Sequence, residues 1–215
     1  MPTKIGKIQK PLVAESKAGR KLYCIPLLFS LGEAPREYAE MFSRYWDQVK
    51  DHLDNLEKIG TPHRIFYEMI SLAGEEGMRK IQQQNERTHQ FVKSRIDHGA
   101  VLVPLEDETL FMEYIDWGVC LSVVRSPTVA KRIFQFYKDA EQKRDKKIAT
   151  QINDSLENDE AAILLMRDEN RIRIQPQFSP DIQVYLVHPP ILNDLHNWLR
   201  DHATKIMDKA KDKKA

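Results

Sequence analysis

The sequence predicts a layered α/β fold: a single domain over residues 1–207 with a mixed sheet, an N-terminal hairpin and one long charged helix. A Lys-rich tail over 208–215 frays beyond it. Three observations carry this. Short apolar runs with β-branched or aromatic content alternate with longer stretches whose apolar residues recur at three- and four-residue spacing. Two strand-like runs at the N-terminus are separated by a polar stretch with a turn-type glycine. No linker-like stretch or internal repeat divides the chain.

Residues 4–13 and 21–30 read as the two strands of the hairpin, joined by the polar segment Glu15–Arg20. Pro26 cannot donate to a ladder, so it marks a bulge, an edge or a strand end. Residues 34–59 read as a helix whose stripe is Tyr38, Met41, Phe42, Tyr45, Trp46, Val49, Leu53 and Leu56, stopped by Gly60 and Pro62. His63–Ile70 is a strand, and a second helix follows Gly74 and runs to about His98, with Gly99 as its stop. Ala100–Leu105 is the next strand. Glu106-Asp107-Glu108 opens a third helix, where carboxylates complement the helix dipole, and Leu110, Tyr114, Trp117, Leu121 and Val124 form its stripe.

Ser126-Pro127 starts a long helix to about Leu156: Ser accepts from the orphan N–H groups and Pro suits the first turn. Its buried side reads as Val129, Ile133, Phe136, Tyr137, Ala140, Ile148 and Ile152. Its middle, Glu141–Lys147, is almost wholly charged and is expected to be solvated or to project. Ala161–Met166 is a buried strand, Asp168–Arg171 a turn, Ile182–Val187 a strand closed by Pro189-Pro190, and 191–207 the last helix.

Composition excludes several classes. With 33 Lys+Arg against 32 Asp+Glu and 41% apolar residues, the 215-residue chain is neither disordered nor strongly basic. Two cysteines, Cys24 and Cys120, cannot make a disulfide framework or a Cys-based zinc site. Lys4, Lys7 and Lys10 mimic the basic start of a signal peptide, but no apolar segment follows. The longest apolar runs fall far below the roughly 18 residues a membrane span needs. A cytoplasmic protein with no membrane partner is expected.

Few constellations carry chemistry. Gly74-Glu75-Glu76-Gly77 could offer N–H groups to a phosphate, but carboxylates occupy the place of the anion, and there is no GxGxxG and no Walker Lys-Ser/Thr. Glu86-x-x-His89 is a single copy of a motif that builds metal sites only in pairs. Glu106, Asp107, Glu108, Glu113 and Asp116 could hold a hard cation, yet the first three are what a helix start favours. No metal site is assigned, and cofactors stay unknown. Gly-x-Ser-x-Gly is absent. Six Lys/Arg among the first 30 residues, and seven basic against three acidic groups over 131–147, could touch phosphate backbones. His188 stands where a strand ends, the usual place for ligand contacts in open α/β sheets, and Tyr67 and Glu68 could line the same cleft. With Asp116 and Arg125 these are the candidate ligand-binding residues.

Several segments read together, His63–Met69, Gly99–Asp107, Asp116–Leu121 with Arg125–Pro127, Glu160–Leu165, and Asp181–Pro190 followed by Trp198–Asp201, resemble an uncharacterised group of prokaryotic α/β proteins of about 200 residues. That resemblance implies a fold and no reaction. Over residues 127–207 the order of elements is also similar to α/β domains of release-factor-like translation proteins, but the Gly-Gly-Gln of true release factors is absent, so peptide release is not implied.

The function expected is non-catalytic: binding a protein partner, or self-association into a homo-oligomer, with Tyr38, Tyr45 and Trp46 either core or interface anchors. A small-molecule enzyme or sensor with its cleft at strand ends is the alternative, and a translation-associated RNA binder using residues 4–21 and 131–147 is a further one.

Overall fold

The computed structural model describes residues 19–28 and 35–212, with side chains as far as 202. Five strands form one sheet: β1 (Arg20–Pro26), β2 (Pro62–Tyr67), β3 (Val101–Val103), β4 (Ala161–Met166) and β5 (Ile182–Leu186). Their order is β3-β2-β4-β1-β5 and every pairing is parallel. This corrects the mixed sheet. β1 is hydrogen-bonded to β4 on one side and β5 on the other, so it has no open edge for a hairpin partner. Residues 4–13, the other arm of the expected hairpin, lie outside the described residues.

Helices cover both faces, as parallel strands require. On one side lie α1 (Arg36–Leu56), α3 (Glu86–Asp97) and α7 (Ile191–Asp212), packed on Tyr23, Ile25, Ile163 and Leu165. The other side receives the C-terminal half of α5 (Pro127–Ser155) and α6 (Asp168–Ile174), packed on Leu22, Cys24, Leu164 and Met166. Alternate residues of β1 and β4 thus serve opposite cores, which is why Ala161–Met166 is apolar throughout. Tyr38, Tyr45 and Trp46 are buried in the first core, and Tyr45 Oη donates to the Pro26 carbonyl at 2.5 Å. Their expected alternative role as interface anchors is thereby removed.

The second predicted helix is two. α2 (Gly74–Gln84) ends at Asn85, whose backbone is extended and whose Oδ1 accepts from Thr88 N at 3.0 Å to start α3. Gly74 and Gly77 have structural reasons. Gly74 has φ +59°, and a Cβ on Gly77 would meet the Leu72 carbonyl oxygen at 2.3 Å. Asp168–Arg171, expected as a turn, opens α6 and a 3-10 turn at Gln175–Gln177.

α4 (Glu108–Val123) and α5 form an antiparallel helical hairpin. Asp107 and Ser126 cap the two starts, accepting from Leu110 N and Val129 N. The long charged helix is therefore present, but its charged middle is not the part that projects. Glu141, Arg144 and Asp145 are buried, held by Arg173, Glu106 and Glu68, while Val129 and Phe136, expected inside, are exposed. Buried charges survive here because each meets an opposite charge on α6 or on the strand ends.

Candidate functional site

The residues that follow the strands share one end of the sheet. Glu68 leaves β2, Glu106 follows β3, Arg167 and Asp168 follow β4, and His188 follows β5. Glu68 is fully buried. It accepts from the main-chain N–H of Arg167 at 2.8 Å, from Arg167 Nη2 at 2.9 Å, from Asn170 Nδ2, and from Arg144 Nη2 at 3.4 Å. Burial pushes its carboxyl pKa up, but hydrogen bonds and charge from Arg167, with Arg144 beyond, overcome this and hold it below the usual value. Arg144, sent in by α5, donates from Nε to Glu106 Oε2 at 2.9 Å and lies against the rings of Phe111 and Tyr114. Met69, just after Glu68, has φ +68° and donates its N–H to Glu106 Oε1 at 3.1 Å. A non-glycine residue held there costs on the order of 1 kcal/mol, offset by this bond network.

The order of strands makes one crevice at this end. β1 leads through α1 across β4 to β2, whereas β4 leads through α6 across β1 to β5. Each connection crosses the other's strand on opposite faces of the sheet, and both start at the carboxyl ends of the strands, where open parallel sheets hold ligands. There a crevice of about 270 Å³ is lined by Leu27, Leu28, Tyr38, Arg167, Asp168 and His196, among others. Asp168 is shared at its rim: Oδ2 lies 2.9 Å from His188 Nε2, and Oδ1 accepts from Arg171 Nε at 3.1 Å.

Of the candidate residues, Glu68 and His188 stand at this end, on the Arg167 and Asp168 sides of the crevice. Tyr67 is fully buried in the core, and desolvation raises its phenol pKa. Asp116 and Arg125 lie elsewhere, exposed on α4 and on the turn between α4 and α5. The turn is some 17 residues of α5 from Arg144, about 25 Å at helical rise. Sequence reasoning does not reach Arg144, Arg167 or Asp168, and it reads Glu106 only as a helix-start carboxylate or cation ligand. One signal could have found the first: Glu141, Arg144 and Asp145 share a helical face with Ile148 and Ile152.

The second feature is the arm made by α4 and the first turns of α5. No residue of α4 is buried, although its sequence is the most apolar of the helices. Seven of the ten exposed large apolar side chains in the described structure fall between Met112 and Phe136, so they form a patch and not a scatter. Val123 is 70% exposed, Val119 56% and Phe134 53%. Trp117 stacks on Phe136, and Tyr114 on Tyr137, which hold the two helices together. An open groove runs along α4 beside Met112, Asp116, Trp117 and Cys120.

Among the described residues no His/Cys/Asp/Glu group could hold a metal, and no helix is long and apolar enough to cross a membrane. The Glu86-x-x-His89 pair is a loose contact of 3.8 Å in the first turn of α3. No family model matches the chain, and neither does any curated protein or solved structure.

Proposed function

We propose that this chain is a non-catalytic binding protein whose α/β body presents the α4–α5 arm to a protein surface. One observation carries the reading: α4 is an apolar helix with no buried residue. Large apolar side chains exposed together in this way mark an interaction surface. The buried Glu68–Arg144–Glu106 cluster supports the same reading, because its carboxylates are spent on arginines and not left for chemistry. The test is native mass spectrometry on gently purified protein, wild type beside Val119→Glu with Val123→Glu. The wild type should carry a bound protein chain, its own copy or another, and the variant should fly bare. Bare, equally soluble monomers in both cases would sink the proposal.

A second reading has its own observation, the crevice at the carboxyl ends of β1 and β4 with the Asp168–His188 pair on its rim. It fits a small polar ligand that meets a guanidinium and imidazoles over an aromatic wall. A non-protein mass that persists through desalting and disappears in Asp168→Asn would favour it; no such mass, with no heat on titration with small acids or phosphates, would remove it. The nucleic-acid reading is weaker, since Arg144 is buried and Lys138 is paired with Glu141.

A further inference from the structure

We infer that the surface seated on the arm is a second copy of this chain, so that two arms pack as a four-helix unit with α4 of one copy against α5 of the other. The inference rests on the arm-binding reading above and names its occupant.

The first support is charge. α4 carries Glu108, Glu113 and Asp116 and no basic residue, whereas residues 127–139 of α5 carry Lys131, Arg132 and Lys138 against Asp139. Within one arm these signs barely meet. Lys143 approaches Glu113 at 3.7 Å, and Lys138 turns to Glu141 on its own helix. Glu108, Asp116, Lys131 and Arg132 make no ion pair among the described residues. A hairpin with one acidic and one basic helix is complementary to itself. A two-fold axis that lays each α4 beside the other copy's α5 brings acid to base twice, which an unrelated apolar partner would have to reproduce separately.

Shape and size are the second support. α4 is 16 residues long, about 24 Å at helical rise, and two helices side by side are about 20 Å across. One face of the arm is then about 500 Å², and two copies enclose about 1,000 Å², the lower bound for a specific interface. Large apolar side chains are exposed on both helices: Met112, Val119 and Val123 along one face of α4, and on α5 Val129 and Phe136 on one face with Phe134 on another. The groove along α4 offers a seat for an aromatic side chain of the facing copy. An interface of this modest size should dissociate on dilution.

The experiment is sedimentation velocity of the purified full chain between about 1 and 100 µM. Three proteins are compared: the wild type, Lys131→Glu with Arg132→Glu, and the reversed arm, which adds Glu108→Lys and Asp116→Lys to that pair. The wild type should pass from monomer to dimer as concentration rises. The first variant should remain monomeric, because α5 now faces α4 with the same sign. The reversed arm should recover the dimer, a result that simple misfolding would not give. A dimer indifferent to all four charges would overturn the inference by placing the contact on another face. A wild type that stays monomeric at the top concentration would also overturn it. In that case a different chain lost on Val119→Glu leaves the arm-binding reading standing with another occupant, and no bound chain at all removes both.

Discussion

Arg144 Nε and Glu106 Oε2 lie 2.9 Å apart with both side chains sealed from solvent, joining the middle of α5 to the end of β3. Glu68 meets the same guanidinium at Nη2, the nitrogen that also donates to Glu106. Arg144→Met should therefore leave two carboxylates buried with less compensation. Breaking a buried pair in this way costs about 3–5 kcal/mol. Urea denaturation followed by circular dichroism reads it directly. Adding Glu106→Gln should recover part of the loss, since residues in one ion-pair network couple by about 0.5–3 kcal/mol. Strictly additive losses would show that the two side chains do not work as a pair.

Glu68 gives stability a pH dependence of known sign. Its folded pKa is depressed, so its contribution is fully present above the unfolded carboxyl value, near 4.3, and is lost as pH falls through the folded pKa. The urea midpoint of the wild type should drop between neutral pH and about pH 3. Glu68→Gln should start lower at neutral pH and fall less steeply over the same window. Identical slopes for the two proteins would mean that another group controls the acid limb.

Gly77→Ala should lower the melting temperature. A methyl group there would meet Leu72 O at 2.3 Å and Leu102 Cδ2 at 2.8 Å, and a backbone carbonyl cannot give way as the end of a side chain can. Overpacking of this kind costs about 1–3 kcal/mol. Gly74→Ala makes no such contact and meets only a backbone at φ +59°, so it should cost less. A reversed ranking of the two variants would contradict the packing described around α2.

The two thiols should differ in reactivity. Cys24 lies in the core, and burial pushes its pKa up to about 12, so it should resist a thiol reagent until the protein unfolds. Cys120 is half-buried on α4 and should react in the native state. If arms pair, its rate should fall as protein concentration rises. Ellman's reagent, counted before and after guanidinium, distinguishes one native thiol from two or none.

Much of the scaffold was legible because its signals are local. Ala161–Met166 reads as a doubly covered strand, and Tyr38 through Leu53 as one buried helical stripe, from their own residue types. The parallel pairing was not legible, because an N-terminal strand pattern cannot show that β4 and β5 take both edges of β1. The charged run Glu141–Lys147 misled for a similar reason. Its partners Glu68, Glu106 and Arg173 come from positions 28 to 76 residues away, and only their arrival makes burial tolerable. The place of Glu68 and His188 was legible, since both follow strands and stand at the same end of the sheet. Asp116 and Arg125 could not be separated from them without knowing that α4 leaves the body.

α5 is a single rod of 29 residues, about 43 Å long. One end carries the exposed Phe134 and Phe136, and the other lies against the sheet at Ile148 and Ile152. No break interrupts the helix between them, so the arm has no joint of its own. Arg144 stands where the rod enters the body and acts as its fulcrum. A load applied at Phe134 is then carried about 21 Å to Ile148 as leverage. The same rod thus joins Phe134 to Glu68 and, through Arg167, to the wall of the crevice.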